Sequence, residues 1–284
     1  MDEGFWACVT KSGRGLRAAL RGKSIEGALK SLGQTFKERK VSSACPVCGE
    51  GLLTLLERKK DIDGAIVDIL LCSDCKVLAN ESAFQHSVAL QVQASETFYR
   101  LTDEDLNRLE EQVESQRRLL AYILPLLGKV NEKVMLEVGC GRGLMLIAAR
   151  KLGFRRAIGV DPNVETFRQV AQYIEVDSDI VVHRDLMEVG DKVDCVVMWH
   201  ALEHMPAPRE FLTRLSACLN DRAILFFQVP QYHQAYICAT HFYFYNEPSI
   251  RYLMRNAGFE VLEIGYDVDN QFTTVVARYK LMAR

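Results

Sequence analysis

Beyond Lys129 the chain alternates between short continuous apolar runs and longer amphipathic stretches. The runs predict strands at Val134–Val138, Ala157–Asp161, Ile180–His183, Val193–Trp199 and Ala223–Val229. The stretches between them predict helices near Leu144–Leu152, Val164–Ile174 and Pro208–Leu219. Strands that are apolar on both faces and separated by helices belong to a parallel sheet covered on both sides. The C-terminal end breaks this rhythm. A helix over Pro248–Ala257 leads into runs at Phe259–Tyr266 and Phe272–Tyr279, joined only by Asp267–Asn270. So short a link makes that pair antiparallel. The fold class is therefore α/β, with a parallel sheet that ends in an antiparallel hairpin.

Upstream the pattern differs. Leu106, Leu109, Val113, Leu120 and Ile123 form a helical stripe with cap candidates at Thr102 and Asp103 and a stop at Pro125. Leu52–Leu56 and Ile66–Leu71 are short apolar runs around the turn signal Asp61-Ile62-Asp63-Gly64, which reads as a hairpin. Ser24 caps a short candidate helix carrying Ile25, Leu29, Leu32 and Phe36, weakened by several glycines. The expected organisation is a basic extension over 1–40, a small β module over 41–80, a helical linker and cap over 81–128, and the main domain over 129–284.

Composition narrows the function classes. The 284 residues are 49% hydrophobic and 25% charged, ordinary for a globular chain with a full core. The net charge is −2, so the whole molecule is no electrostatic trap for nucleic acid. Residues 1–44 are the exception, with nine Lys or Arg against four acids. They read as a packed extension or as a grip for an anionic partner. No signal peptide and no run of about 18 apolar residues is found, so the expectation is a cytoplasmic protein without a membrane span. Of nine cysteines, four form two Cys-x-x-Cys pairs and the rest read mostly as buried thiols.

Val134–Val138 runs into Gly139-Cys140-Gly141-Arg142-Gly143 and then a helix. Strand, glycine turn and helix together cradle a nucleotide-like ligand, because glycine lets the backbone approach it closely. Asp161 ends the next strand, where an acid accepts the protons of both ribose hydroxyls. Dinucleotide loops space their glycines as G-x-G-x-x-G to seat a pyrophosphate. This loop is G-x-G-x-G and follows Glu137. A carboxylate there repels a pyrophosphate and suits a ligand carrying an ammonium and a sulfonium, namely S-adenosylmethionine (SAM).

The run Glu137–Gly143 resembles the first motif of class I SAM-dependent methyltransferases, and the resemblance covers about residues 95–280. It implies a Rossmann-like sheet of seven strands with the last one antiparallel. It places Glu137, Gly139, Gly141 and Gly143 at the methionine moiety and Asp161 on the ribose. His183-Arg184-Asp185-Leu186 is similar to the adenine-contacting turn of that family, which implies Asp185 and Leu186 at the adenine.

Trp199-His200-Ala201-Leu202-Glu203-His204 closes the fourth strand at the edge of the ligand crevice. The segment resembles the small-molecule branch, which includes ubiquinone-pathway O-methyltransferases and sugar and natural-product enzymes. His241-Phe242-Tyr243-Phe244 looks like the same branch. Three readings stay open. His200 or His241 is a general base for a substrate hydroxyl. Alternatively His200, Glu203 and His204 help hold a divalent metal, although ubiquinone-type enzymes carry an acid where this chain has His200. In the third reading Glu203 and His204 only satisfy backbone groups and fix the loop. Pro230–His241, with Tyr232, His233 and Tyr236, is a candidate lid.

Cys45-x-x-Cys48 and Cys72-x-x-Cys75 lie on either side of the predicted hairpin, with 23 residues between the pairs. Four thiolates so arranged make a closed tetrahedral site for structural Zn2+. The stretch resembles zinc-ribbon modules placed before methyltransferase domains. The function expected is SAM-dependent methyl transfer to a small-molecule partner, a hydroxyl of a sugar or other metabolite. The alternatives are an RNA methyltransferase gripping its nucleic acid through the zinc module, and a non-catalytic SAM-binding protein.

Overall fold

A computed structural model of the chain describes residues 40–85 and 101–280. The basic extension, apart from Lys40, and its candidate helix at 24–36 lie outside the described residues, as does part of the 81–128 linker.

The larger sheet has seven strands in the order β11–β12–β9–β8–β5–β6–β7. They are β5 (Val134–Val138), β6 (Arg156–Val160), β7 (Ile180–His183), β8 (Val193–Trp199), β9 (Leu219–Pro230), β11 (Phe259–Tyr266) and β12 (Phe272–Tyr279). The pairs β5·β6, β6·β7, β5·β8 and β8·β9 are parallel. β12 inserts between β9 and β11 and is antiparallel to both. One reversed strand, the last, is what the terminal hairpin required.

All five residues of β5 are buried, as a central strand covered on both faces must be. On one face lie α2 (Leu109–Ala121), α4 (Leu144–Lys151) and α5 (Val164–Val170), with Val113, Leu120, Leu146 and Val170 in their shared core. On the other lie α6 (Pro208–Ser216) and α7 (Glu247–Asn256), contributing Leu212, Leu215, Ile250 and Leu253. The helical stripe expected as one element is broken into α1 (Asp103–Asn107), α2 and α3 (Leu124–Leu127). Thr102 and Asp105 form a reciprocal capping box at the start of α1. Among the described residues no helix is long and apolar enough to cross a membrane.

The smaller sheet holds β1 (Lys40–Ala44), β2 (Leu52–Lys60), β3 (Ile66–Cys72) and β4 (Leu78–Asn80), all antiparallel. Its fifth strand comes from far along the chain: β10 (Tyr243–Phe244) pairs with β4. Cys45, Leu53, Leu70 and Val77 share one core with α6 and α7. The small module is therefore built into the main domain, and the boundary expected at residue 80 is not a boundary in packing. Sequence separation hid this, because nothing local in a two-residue strand announces its partner.

Candidate functional site

The glycine loop starts where β5 ends. Gly139, Gly141 and Gly143 all adopt positive φ, at 74°, 45° and 71°. The loop also needs their bareness: a Cβ on Gly143 would sit 2.3 Å from the Phe167 ring, and one on Gly139 would sit 2.9 Å from Ala201 Cβ. The Gly141 amide donates to Asp161 Oδ2 at 2.9 Å and the Asn163 amide donates to Oδ1 at 2.8 Å. Asp161 thus ties the tip of the loop to the end of β6.

Glu137 is buried in β5, and its Oε2 has no hydrogen-bond partner among the described residues. Burial pushes its carboxyl well above the ordinary carboxylate range, and the charge of Asp161 adds to the shift. Burial likewise raises Asp161, against the two amides that lower it. Two buried carboxyls beside a glycine loop leave a strong unmet demand for positive charge. A pyrophosphate cannot meet it. Asp185 and Leu186 follow β7 at the same sheet edge. The exposed Asp185 side chain accepts from the Met187 amide at 2.8 Å and caps a short helical turn, while Leu186 is buried.

A contact not foreseen from the sequence secures the loop from outside. Arg142 donates twice to Asp105, from Nη1 to Oδ1 at 2.8 Å and from Nη2 to Oδ2 at 3.0 Å. The guanidinium holds the Asp105 carboxyl far below the usual range. The signal was present in the Thr102–Asp105 capping pattern, but the partner, lying 37 residues further on, was not.

His200 follows β8 with φ at 51°, a left-handed conformation that few non-glycine residues adopt. Its Nδ1 lies 3.5 Å from Glu203 Oε1, long for a hydrogen bond. Its ring meets Phe272 edge-on at 4.9 Å, and Trp199 and Tyr236 extend this aromatic wall. Phe272 is a wall residue that periodicity alone could not nominate; it arrives because β12 pairs with β9, with Phe272 opposite Pro230. His241 comes from the segment before β10 and lies with its ring centroid 4.7 Å from that of His204. The candidate lid is anchored at several points. Tyr232 donates to Glu57 at 2.7 Å, Tyr236 donates to Gln271 at 2.5 Å, and the Ile62 amide donates to the Ile237 carbonyl at 2.9 Å.

The four cysteines Cys45, Cys48, Cys72 and Cys75 converge and are buried. Sγ to Sγ distances are 3.8 Å for Cys45 and Cys75 and 3.6 Å for Cys48 and Cys72. A tetrahedron with metal–sulfur bonds of about 2.3 Å has edges of about 3.8 Å, so the spacing fits zinc and is far too wide for a disulfide. The first knuckle docks on α6 through Arg209, whose Nη1 faces the Cys48 carbonyl at 3.4 Å.

Sheet order, glycine loop and strand-end acids together define a nucleoside-binding Rossmann-like fold of the class I SAM-dependent methyltransferase type. Residues 109–264 match the profile of the methyltransferase domain family, more than half of the chain, and the chain belongs to that family. It is similar to a tRNA U34 carboxymethyltransferase of Campylobacter hominis, 29% identical over 100 residues, which are 33% of this chain and 35% of that protein. It is also similar to a ubiquinone biosynthesis O-methyltransferase of Histophilus somni, 26% identical over 118 residues, or 38% of this chain and 49% of that one. The chain thus spans less than half the length of these curated relatives. A solved complex of the Haloferax volcanii Trm112 methyltransferase activator with a methyltransferase shares the fold, with a TM-score of 0.52 at 17% identity, covering 64% of this chain and 97% of that one.

Proposed function

We propose that this protein transfers a methyl group from SAM to a hydroxyl of a small-molecule acceptor, a sugar or another metabolite. The observation that carries the reading is the buried Glu137 carboxyl, whose Oε2 has no partner among the described residues, beside the glycine loop and Asp161. SAM, when bound, brings a methyl group already activated by its sulfonium. The residues of the chain have the remaining tasks. Glu137 accepts from the ligand's ammonium, the bare loop glycines admit its methionine chain, and Asp161 accepts from the ribose hydroxyls with the lone pairs its amide contacts leave. Asp185 and Leu186 flank the adenine. The aromatic wall of Trp199, Phe272 and Tyr236 excludes water and aligns the acceptor. His200 keeps its Nδ1 hydrogen towards Glu203 and takes the hydroxyl proton at Nε2. Four thiolates, from Cys45, Cys48, Cys72 and Cys75, hold a structural zinc with no open position.

Likeness to the Campylobacter hominis tRNA enzyme favours a second reading, an RNA acceptor. A turnover assay decides between them. The protein is given SAM with hydroxylated sugars and phenols, or with bulk tRNA, and formation of the demethylated product is followed. Product with the small molecules and none with tRNA is expected. Product with tRNA alone would overturn the small-molecule reading, and none with either would leave a SAM-binding protein without this chemistry.

A further inference from the structure

Glu203 is fully buried, and neither of its carboxylate oxygens has a hydrogen-bond partner among the described residues. An ionised carboxylate without a partner costs several kcal/mol in an apolar interior, so such a group exists for something. Around it stand His204 and His241, and one donor atom from each of the three residues lies within 4.8 Å of the others. Both imidazoles are held by backbone. His204 Nδ1 is 2.9 Å from the Thr240 carbonyl oxygen, and His241 Nδ1 is 2.7 Å from that of Tyr236. A carbonyl only accepts, so each Nδ1 carries the hydrogen and each Nε2 is the basic nitrogen. That is how metal-ligating histidines are commonly prepared: the outer nitrogen donates to a carbonyl and fixes the tautomer and ring plane. The two segments are also joined directly, since the Phe242 amide donates to the Glu203 carbonyl at 2.8 Å.

We propose that Glu203, His204 and His241 form a second metal site, distinct from the cysteine cluster, that takes a divalent first-row transition ion. Two imidazoles and one carboxylate are borderline donors that suit such ions better than calcium or magnesium. The burial of the carboxylate supports this ligand set, because an ion held by two imidazoles would give the enclosed Glu203 oxygens the partner they lack among the described residues. The sequence pattern suggests His200 as the third ligand, whereas the fold brings in His241, from 37 residues beyond His204. His200 faces Oε1 of the same carboxylate, which leaves Oε2 for the ion. A three-ligand site keeps coordination positions for an outside oxygen. Resting on the methyltransferase reading, that oxygen is the acceptor hydroxyl, whose pKa the ion lowers.

The site is tested without turnover. Protein loaded with a single equivalent of zinc, which the four-sulfur cluster takes first, is titrated with cobalt(II). One further equivalent is expected, with d–d absorption and no sulfur-to-cobalt charge-transfer band. His241→Gln and Glu203→Gln should weaken it by more than the roughly 10–100-fold that loss of an outer-shell partner costs, with the cluster's zinc retained. No further equivalent, or undiminished binding in His241→Gln, overturns the site. Calorimetry with S-adenosylhomocysteine on the same samples is the separate arm. Its failure contradicts the methyltransferase reading and leaves the metal result standing.

Discussion

His200 shows how one residue combines strain and chemistry. Its left-handed backbone, at φ 51°, is tolerated by asparagine but strained for alanine. His200→Asn therefore removes the imidazole while keeping the turn. Turnover should fall by about 10²–10⁴-fold with affinity for the demethylated cofactor unchanged. Unchanged turnover would remove His200 from the mechanism. Glu137 gives a pH prediction. Its carboxyl is raised in the free protein, so from the ordinary carboxylate range up to the raised value it holds a proton that a cationic ligand displaces. Within that window binding should release a proton and tighten as pH rises, flattening above it. Through the same window the free protein loses stability as pH rises, because the unfolded chain releases a proton that the folded carboxyl keeps. Calorimetry in buffers of different ionisation enthalpy reads the proton directly. Glu137, the glycines and Asp161 were legible in the sequence because strand, turn and strand end are local. The pairing of Arg142 with Asp105, and the place of Phe272 beside His200, were not, since each joins separate elements.

Among the elements, α1 is the most exposed to test. It has only five residues and no buried ones, so its position depends on the capping box and on the ion pair from Arg142. Asp105→Asn removes charge from both and should cost about 1–3 kcal/mol of local stability. Hydrogen exchange should speed up over 102–108 with the rest of the sheet protected. Equal protection in the variant would show that the clamp holds nothing. The Asp105 carboxyl is depressed in the fold, so its contribution is full above the ordinary carboxylate range and declines as pH falls below it. The breaks at Arg108 and Ile123, where one helix was expected, follow from the same economy of local signals. A hydrophobic stripe shows which face is buried, and the caps that end each piece depend on contacts elsewhere.

Across the whole molecule, two sheets share one core, and the strand that joins them carries His241 at its entrance. β10 pairs with β4, the Asn80 amide donates to the Phe242 carbonyl at 2.9 Å, and Asn80 Nδ2 donates to the Cys238 carbonyl at 2.9 Å. Removing the zinc proposed for the cysteine cluster should therefore loosen 238–244 as well as 44–80. Binding free energy at structural zinc sites is of order 10–16 kcal/mol, enough to decide whether that region folds. Chelation followed by hydrogen exchange should show both segments losing protection together. Loss confined to 44–80 would mean that the sheet does not couple the two. The hairpin and its cysteine pairs could be read from spacing, but the way the module completes a sheet with β10 could not.

In the proposed function, Glu137, the glycine loop and Asp161 at the ends of β5 and β6 select a cationic nucleoside. Titration calorimetry of the zinc-replete protein with S-adenosylhomocysteine and with NAD(P) tests it most directly. Saturable binding of the first at one site per chain, weakened in Glu137→Gln, with no heat from the second, is the predicted result. Tight uptake of NAD(P) without binding of the adenosyl-sulfur compound would contradict it.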